Sequence, residues 1–313
     1  MSHALDLHLH SLYSDGKLMP AALVATIKRQ HPEVEHLALS DHDTFLGCPE
    51  FVAACRAHAI EGFVSAEIGG SHPRFPHIEF HFLVNFGRLW SEEVGRRTAV
   101  FLPYWNEMKR VDLENVFLFL EASAAQGRPL SFREVSRKAA EAFAAMPEPE
   151  DLAIVQPTGF GHLRMLLREL GLETGPHTAP DSYEKRTWEA SGLRPRPSPF
   201  ITAAYGSFRE ARPVVTLAHP MLYAWTMEGA LPLLQEWKQE INLAALEAHY
   251  GGNLSLEWKR AADDLGLLCS VGSDSHRAGY SGNHPHTKAP LALPVVGDEI
   301  ALDGLLELFR AVE

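Results

Sequence analysis

Cysteine is scarce in this chain: 313 residues contain three, Cys48, Cys55 and Cys269. An odd number without a Cys-x-x-Cys spacing argues against a disulfide framework and reads as reduced, buried thiols. Long hydrophobic runs are also lacking. No stretch of 18 apolar residues occurs, so no membrane-spanning helix is expected. The opening "MSHALDLHLH" has neither a basic nor an apolar leader segment, so no signal peptide is expected and the chain is placed in the cytoplasm. Basic residues are in deficit, 28 against 40 acidic, for a formal charge of −12. That argues against a broad electrostatic footprint on duplex nucleic acid or on an anionic membrane. Three bound divalent cations would offset half of it. Internal repeats and low-complexity tracts are absent as well. With 46% hydrophobic and 22% charged residues, the composition is that of a globular protein of one large or two smaller domains.

What stands out is histidine, with 17 residues, many beside Asp or Glu at the ends of apolar runs. The segment "LDLHLHSLYSDG" (5–16) alternates: in an extended chain Leu5, Leu7 and Leu9 share one face, and Asp6, His8 and His10 the other. By itself this pattern fits a metal site or a strand with one polar face towards water. Similar apolar runs recur near 36–40, 63–68, 78–86, 214–218, 243–248 and 267–272. Helical patterns separate most of them: "PAALVATIKRQ" and "PEFVAACRAHA", with Pro20 and Pro49 at first helical positions, then "GALPLLQEWKQ", "LSLEWKRAADDLG", with Gly266 as a stop, and "LDGLLELFRAV". Such alternation implies an α/β fold of mainly parallel strands, and seven strands favour a nearly closed barrel whose functional residues gather at the strands' carboxyl ends. Residues 88–205 interrupt the rhythm with four helical patterns and the Pro- and Arg-rich "SGLRPRPSPF". They read as a helical insertion between strands 4 and 5, dividing a discontinuous barrel of 1–87 and 206–313. Fed from the carboxyl end of strand 4, the insertion is expected to emerge on the site's side and act as a lid.

The polar residues follow the strands. His8, His10 and Asp15 come after the first, and Asp41, His42 and Asp43 in "SDHDT" after the second. Glu67 in "SAEIGG" ends the third, and His81 lies in the fourth, with His77 four residues before it on the same face. His219 in "LAHP" ends the fifth, and Asp274 and His276 in "GSDSH" end the seventh. Singly, each reads as a buried histidine or a helix cap, Asp43 and Ser275 included. Together they form a His/Asp/Glu donor set suited to Zn²⁺, Mn²⁺ or Fe²⁺.

These motifs, over 1–87 and 206–290, resemble the polymerase and histidinol phosphatase (PHP) family. The resemblance implies a distorted (β/α)7 barrel with a trinuclear centre that hydrolyses phosphoesters. It places the first ion on His8, His10, Glu67 and Asp274, and the second on His81 and His219, with Glu67 bridging the two. The third is placed on Asp15, His42 and His276. His81 fits the family's strand-4 histidine better than His77. Glu67, Asp274 and His276 are the catalytic candidates, with a metal-activated hydroxide attacking phosphorus. Asp41 and Asp43 read equally as orienters of the histidines or as turn and cap residues. The organisation is similar to members that cleave nucleoside 3′,5′-bisphosphates or trim short oligonucleotides, but those carry a Gly-Arg-x-His stretch. Here "PTGFGHLRMLLRELG" keeps His162 without that arginine. His162, Arg194, Arg196, Arg209 and His249 are the candidate substrate contacts, arginine being suited to a second phosphate. The expected partner is a small phosphorylated substrate. A phosphomonoesterase for histidinol phosphate or a similar metabolite is the alternative, and a non-catalytic PHP module the remote one.

Overall fold

In the structure, a computed structural model, the described residues are 3–88, 90–99, 102–144, 160–174, 181–223, 225–276, 280, 293–296, 300 and 302–312. The chain divides into two compact units, the first of Met1–Tyr104 with Pro199–Glu313 and the second of Trp105–Ser198. The division lies inside the 88–205 span read from sequence, so 88–104 and 199–205 go with the barrel strands.

Each apolar run becomes a strand: β1 His3–Leu9, β2 His36–Leu39, β3 Glu61–His72, β4 Phe75–Asn85, β5 Val214–Leu217 and β6 Leu243–Tyr250. The two-residue β7 Asn253–Leu254 precedes β8 Leu268–Gly272, and β9 Val295–Val296 pairs with β1. The sheet runs β7-β6-β5-β4-β3-β2-β1-β9, with β8 on β6. It curls back on itself. The His10 N–H donates to Ser275 O at 3.1 Å and the Asp274 N–H to His8 O at 3.0 Å, which joins the end of β8 to β1. This is the distorted, parallel-rich barrel expected.

One direction departs from expectation. β1–β2, β2–β3, β5–β6 and β6–β8 are parallel, but β4 is antiparallel to both β3 and β5. Only Pro73 and Arg74 separate β3 from β4, and so short a link permits only an antiparallel hairpin. The carboxyl end of β4, Asn85, therefore lies beside Ser65 and Val214, at the end of the barrel opposite the site. Strand 4 thus does not deliver the insertion to the site's side, contrary to expectation. The chain nevertheless returns: Tyr104 Oη donates to Gly69 O at 2.6 Å, and Ser71 N–H donates to Pro199 O at 3.0 Å. Both boundary residues, Tyr104 and Pro199, are fixed on β3 beyond Glu67.

Helices α1 Pro20–Gln30, α2 Cys48–Ala57 and α3 Glu92–Ala99 belong to the first unit. They are followed by α4 Leu102–Ala125, α5 Phe132–Ala144, α6 Phe160–Glu169, α7 Tyr183–Ser191 and α8 Ile201–Phe208. α9 Met227–Glu240, α10 Leu256–Leu265 and α11 Leu302–Ala311 complete the set among the described residues. Pro20 takes the first position of α1, and Gly266 ends α10 with φ 61°. Pro49 is the second residue of α2, not the first. α4 runs unbroken through two of the four helical patterns of 88–205, "FLPYWNEMKRVD" and "VFLFLEASAAQG". No breaker separates the halves, and Arg110 pairs with Glu114 in the seam between them. Both faces of β1 are buried: Leu5, Leu7 and Leu9 on one, Asp6, His8 and His10 on the other. A polar face turned to water is excluded.

Candidate metal centre

The ends of β1, β2, β5 and β8 converge on Glu67, a fully buried carboxylate that lies within β3 rather than at its end, and His81 joins them from within β4. His8, His10, Glu67 and Asp274 each present a donor atom within 4.8 Å of the others. So do His10, Asp15, His42 and His276, and again His42, Glu67 and His81. His219 reaches the same carboxylate: its Nε2 lies 2.9 Å from Glu67 Oε1, which His81 Nδ1 approaches at 2.8 Å. All nine candidate ligands thus meet in one place. The grouping differs in one respect from that implied by the resemblance, since His10 and His42 each adjoin two groups. His77 lies on β4, but its side chain is outside the described residues.

The donor set fits metal ions. Glu67 Oε2 has His8 Nε2, His10 Nε2 and His42 Nδ1 at 3.1, 3.2 and 3.2 Å, yet accepts no well-formed hydrogen bond among the described residues. His8 Nε2 and His10 Nε2 lie 3.1 Å apart, too close for both to carry protons comfortably. Nitrogen lone pairs and carboxylate oxygens aimed at shared points are a cation's surroundings. Burial opposes the negative charge on Glu67, and His8, His81 and His42 outweigh it, holding the carboxyl well below its usual range. Asp274 is likewise held low, with His276 and His8 overcoming burial. Burial works against a charge on His81, but Glu67 raises its pKa to about 9. His276 rises to about 10 because Asp15 outweighs burial in the same way.

The backbone is bent to make these approaches. His219 and Asp274 adopt left-handed conformations, φ 29° and 53°, and Asp43 does so at 54°. Such residues cost about 1–3 kcal/mol each and persist where their surroundings hold them. Asp43 does not cap α2, whose N-cap is Gly47; its Oδ1 accepts from Gly69 N–H at 3.1 Å and ties the loop to β3. Asp41 accepts from the backbone and hydroxyl of Ser11 and from Ser14 Oγ, all at 2.7 Å, and fixes the turn after His10.

Supporting residues surround the ligands, and of these only Asp6 stood out in the sequence, on the polar face of β1. Asp6 sits behind the cluster, accepting from the N–H groups of His8 and Ser273 and from Tyr280 Oη. Its burial raises its pKa to about 6 against those hydrogen bonds. Tyr250 Oη donates to Asp274 Oδ2 at 2.7 Å, which leaves Oδ1 facing His8 and His10. Tyr223 Oη accepts from His81 N–H at 2.7 Å and donates to Ala218 O at 3.0 Å. Glu247 contacts both His8 and His219. A glutamate within the apolar strand "LAALEAHY" was the available signal for it.

The substrate candidates are not gathered this way. Arg209 is exposed on a turn before the amino end of β5, the end opposite His219. Exposed Arg196 pairs with Glu114 at 3.0 Å, and its backbone N–H donates to Asn115 Oδ1. Arg194, likewise exposed, and His162, on α6, also belong to the second unit. His249 is half-buried two residues beyond Glu247 on β6, outside the donor groups.

A family profile described as the PHP domain matches residues 6–176. No curated protein matches the chain. An amidohydrolase from Chromobacterium violaceum, solved with bound sulfate and no metal, superposes with a TM-score of 0.65 at 20% identity, covering 98% of this chain and 96% of its own. A protein from Bifidobacterium adolescentis, with an inferred metal-dependent phosphoesterase activity, gives 0.64 at 20% identity over 99% and 97%. At these identities the two show the fold. The family match spans more than half of the chain and contains six of the nine clustered residues, and the fold brings His219, Asp274 and His276 to them; the chain belongs to the PHP family.

Proposed function

We propose that this protein is a metal-dependent phosphoesterase acting on a small phosphoester. One observation carries the reading: three overlapping His/Asp/Glu groups share the buried carboxylate of Glu67 or adjoin its neighbours. The donor set fits up to three ions of the Mn²⁺, Zn²⁺ or Fe²⁺ type. Divalent ions bound there supply Lewis acidity for a phosphoryl oxygen and lower the pKa of water. The chain's own residues do the holding. Glu67 offers two oxygens to different imidazoles and so suits a bridge. Tyr250 restrains Asp274, and Asp41 fixes the loop that carries Asp15. Asp15, His42 and His276 form the most exposed side of the cluster, where a phosphoryl group would enter. The activity inferred for the Bifidobacterium adolescentis protein accords with phosphoester chemistry. A non-catalytic module would be expected to have lost ligands, and all nine are in place.

Of the substrate classes, a nucleoside 3′,5′-bisphosphate or the end of a short oligonucleotide follows from the resemblance to members with helical insertions. A simple phosphomonoester is favoured by a specific observation: Arg196 is engaged by Glu114, and Arg209 lies at the far end of β5. A phosphate-release screen with Mn²⁺ across bisphosphates, short oligonucleotides and metabolite monoesters decides between them. Turnover of at least one class that is abolished by chelation is expected. Glu67→Ala should lower it about 10³-fold or more, since metal charge stabilisation is worth several kcal/mol and each 1.36 kcal/mol is tenfold. No metal-dependent release from any class would overturn the proposal.

A further inference from the structure

Glu247 is a fully buried carboxylate on β6 that lies outside the nine candidate ligands. Its Oε1 lies 3.0 Å from His8 Nδ1, and its Oε2 accepts from the His219 backbone N–H at 2.7 Å. We propose that Glu247 is a positioning residue that sets the tautomer of His8 and the backbone conformation of His219, holding these two ligands in one frame on either side of Glu67. The proposal rests on the metal-binding reading of the cluster.

Three observations carry it. His8 directs only Nε2 at the cluster, 3.1 Å from Glu67 Oε2 and 3.5 Å from Asp274 Oδ1. A carboxylate oxygen accepts, so Glu247 places the imidazole proton on Nδ1 and leaves the Nε2 lone pair for a cation. His219 is left-handed, with φ 29° and ψ 54°, and its N–H is anchored by the same carboxylate. That backbone carries Nε2 to within 2.9 Å of Glu67 Oε1. The third observation is the space kept for the contact. A Cβ on Gly272 of β8 would sit 2.2 Å from Glu247 Oε1 and 2.3 Å from His8 Cβ, so only glycine admits both side chains. Among the described residues Glu247 makes no hydrogen bond or ion pair with Asp15, His42 or His276, so its influence should stop at the first two ions.

Glu247→Gln keeps the shape and removes one acceptor. With its oxygen on His219, its NH₂ faces His8 Nδ1 and drives the proton to Nε2; reversed, the NH₂ confronts the His219 N–H. Zn²⁺ titration with elemental analysis should show binding of the ions beside Glu67 weakened about 10–100-fold in Glu247→Gln, the usual effect of losing such a partner. The ion on Asp15, His42 and His276 should be retained. Gly272→Ala should reproduce the pattern. ¹⁵N-histidine spectra of the Zn²⁺-loaded unaltered chain should show His8 protonated at Nδ1, a result that needs no variant to fold. An Nε2-protonated His8, or wild-type affinity at every ion in Glu247→Gln, would overturn the proposal while leaving the metal centre standing. An unaltered chain that binds no Zn²⁺ would overturn both.

Discussion

At the scale of single residues, the ligands were legible because each is announced by its neighbours: His8 and His10 by alternation, His42 by "SDHDT", Asp274 and His276 by "GSDSH". Their supports were not. Glu247, Tyr250 and Tyr223 acquire roles only through contacts with residues far away in sequence. Arg209 misled because arginine suits phosphate wherever it occurs, and only the strand's direction shows that it lies at the wrong end. The raised histidines make a prediction about protons. A divalent ion needs neutral imidazole, so it must displace protons from His81, with a pKa of about 9, and His276, with one of about 10. Calorimetric titration at pH 7 in buffers of different ionisation enthalpy should show proton release on metal binding, and affinity rising about tenfold per pH unit for each displaced proton. Binding that releases no protons would contradict the ligand set. The metal-free chain follows the opposite course. A folded pKa above the unfolded value of about 6.5 stabilises fully below that pH, and the contribution disappears as pH rises through 9 to 10. Metal-free Tm should therefore fall across that window while the gain on adding metal widens. Glu67 and Asp274 lose their contribution only as pH falls through their low pKa values, well outside it.

At the scale of elements, the seven apolar runs became strands because length and composition mark them. An apolar run does not carry its direction. The gap between strands 3 and 4 did: it is too short for the crossover a parallel neighbour requires, and β3 and β4 in fact extend until two residues part them. α4 shows the converse, since two helical patterns merged where the Arg110–Glu114 pair spans the seam. Packing between elements centres on Trp237 of α9, fully buried with its ring centroid 4.9 Å from those of Phe80 and Phe82 on β4. Trp237→Ala should cost about 3–5 kcal/mol, the usual range for a buried aromatic. Thermal unfolding should then shift down by roughly 10 °C, at about 2–4 °C per kcal/mol. A shift under about 2 °C would show that α9 is not packed on the sheet through this residue.

At the scale of the molecule, the chain holds two units with separate interiors. The second has its own core, including Val116, Phe119, Val135, Leu163, Leu166 and Trp188, all between Trp105 and Ser198. Tyr104 Oη lies 3.3 Å from Pro199 O, so the ends of the first unit meet where the second departs. Replacing 105–198 by about four Gly/Ser residues, which reach roughly 13 Å, should leave a folded barrel with unchanged metal content. A cooperative loss of the whole fold would contradict that division. Among the described residues no helix is long and apolar enough to cross a membrane. The shared carboxylate of Glu67 makes the centre's own prediction the sharpest. Elemental analysis of the chain purified in Mn²⁺ should find two or three ions, with two lost in Glu67→Ala and one in His42→Ala; fewer than one ion in the unaltered chain, or full occupancy in Glu67→Ala, would contradict it.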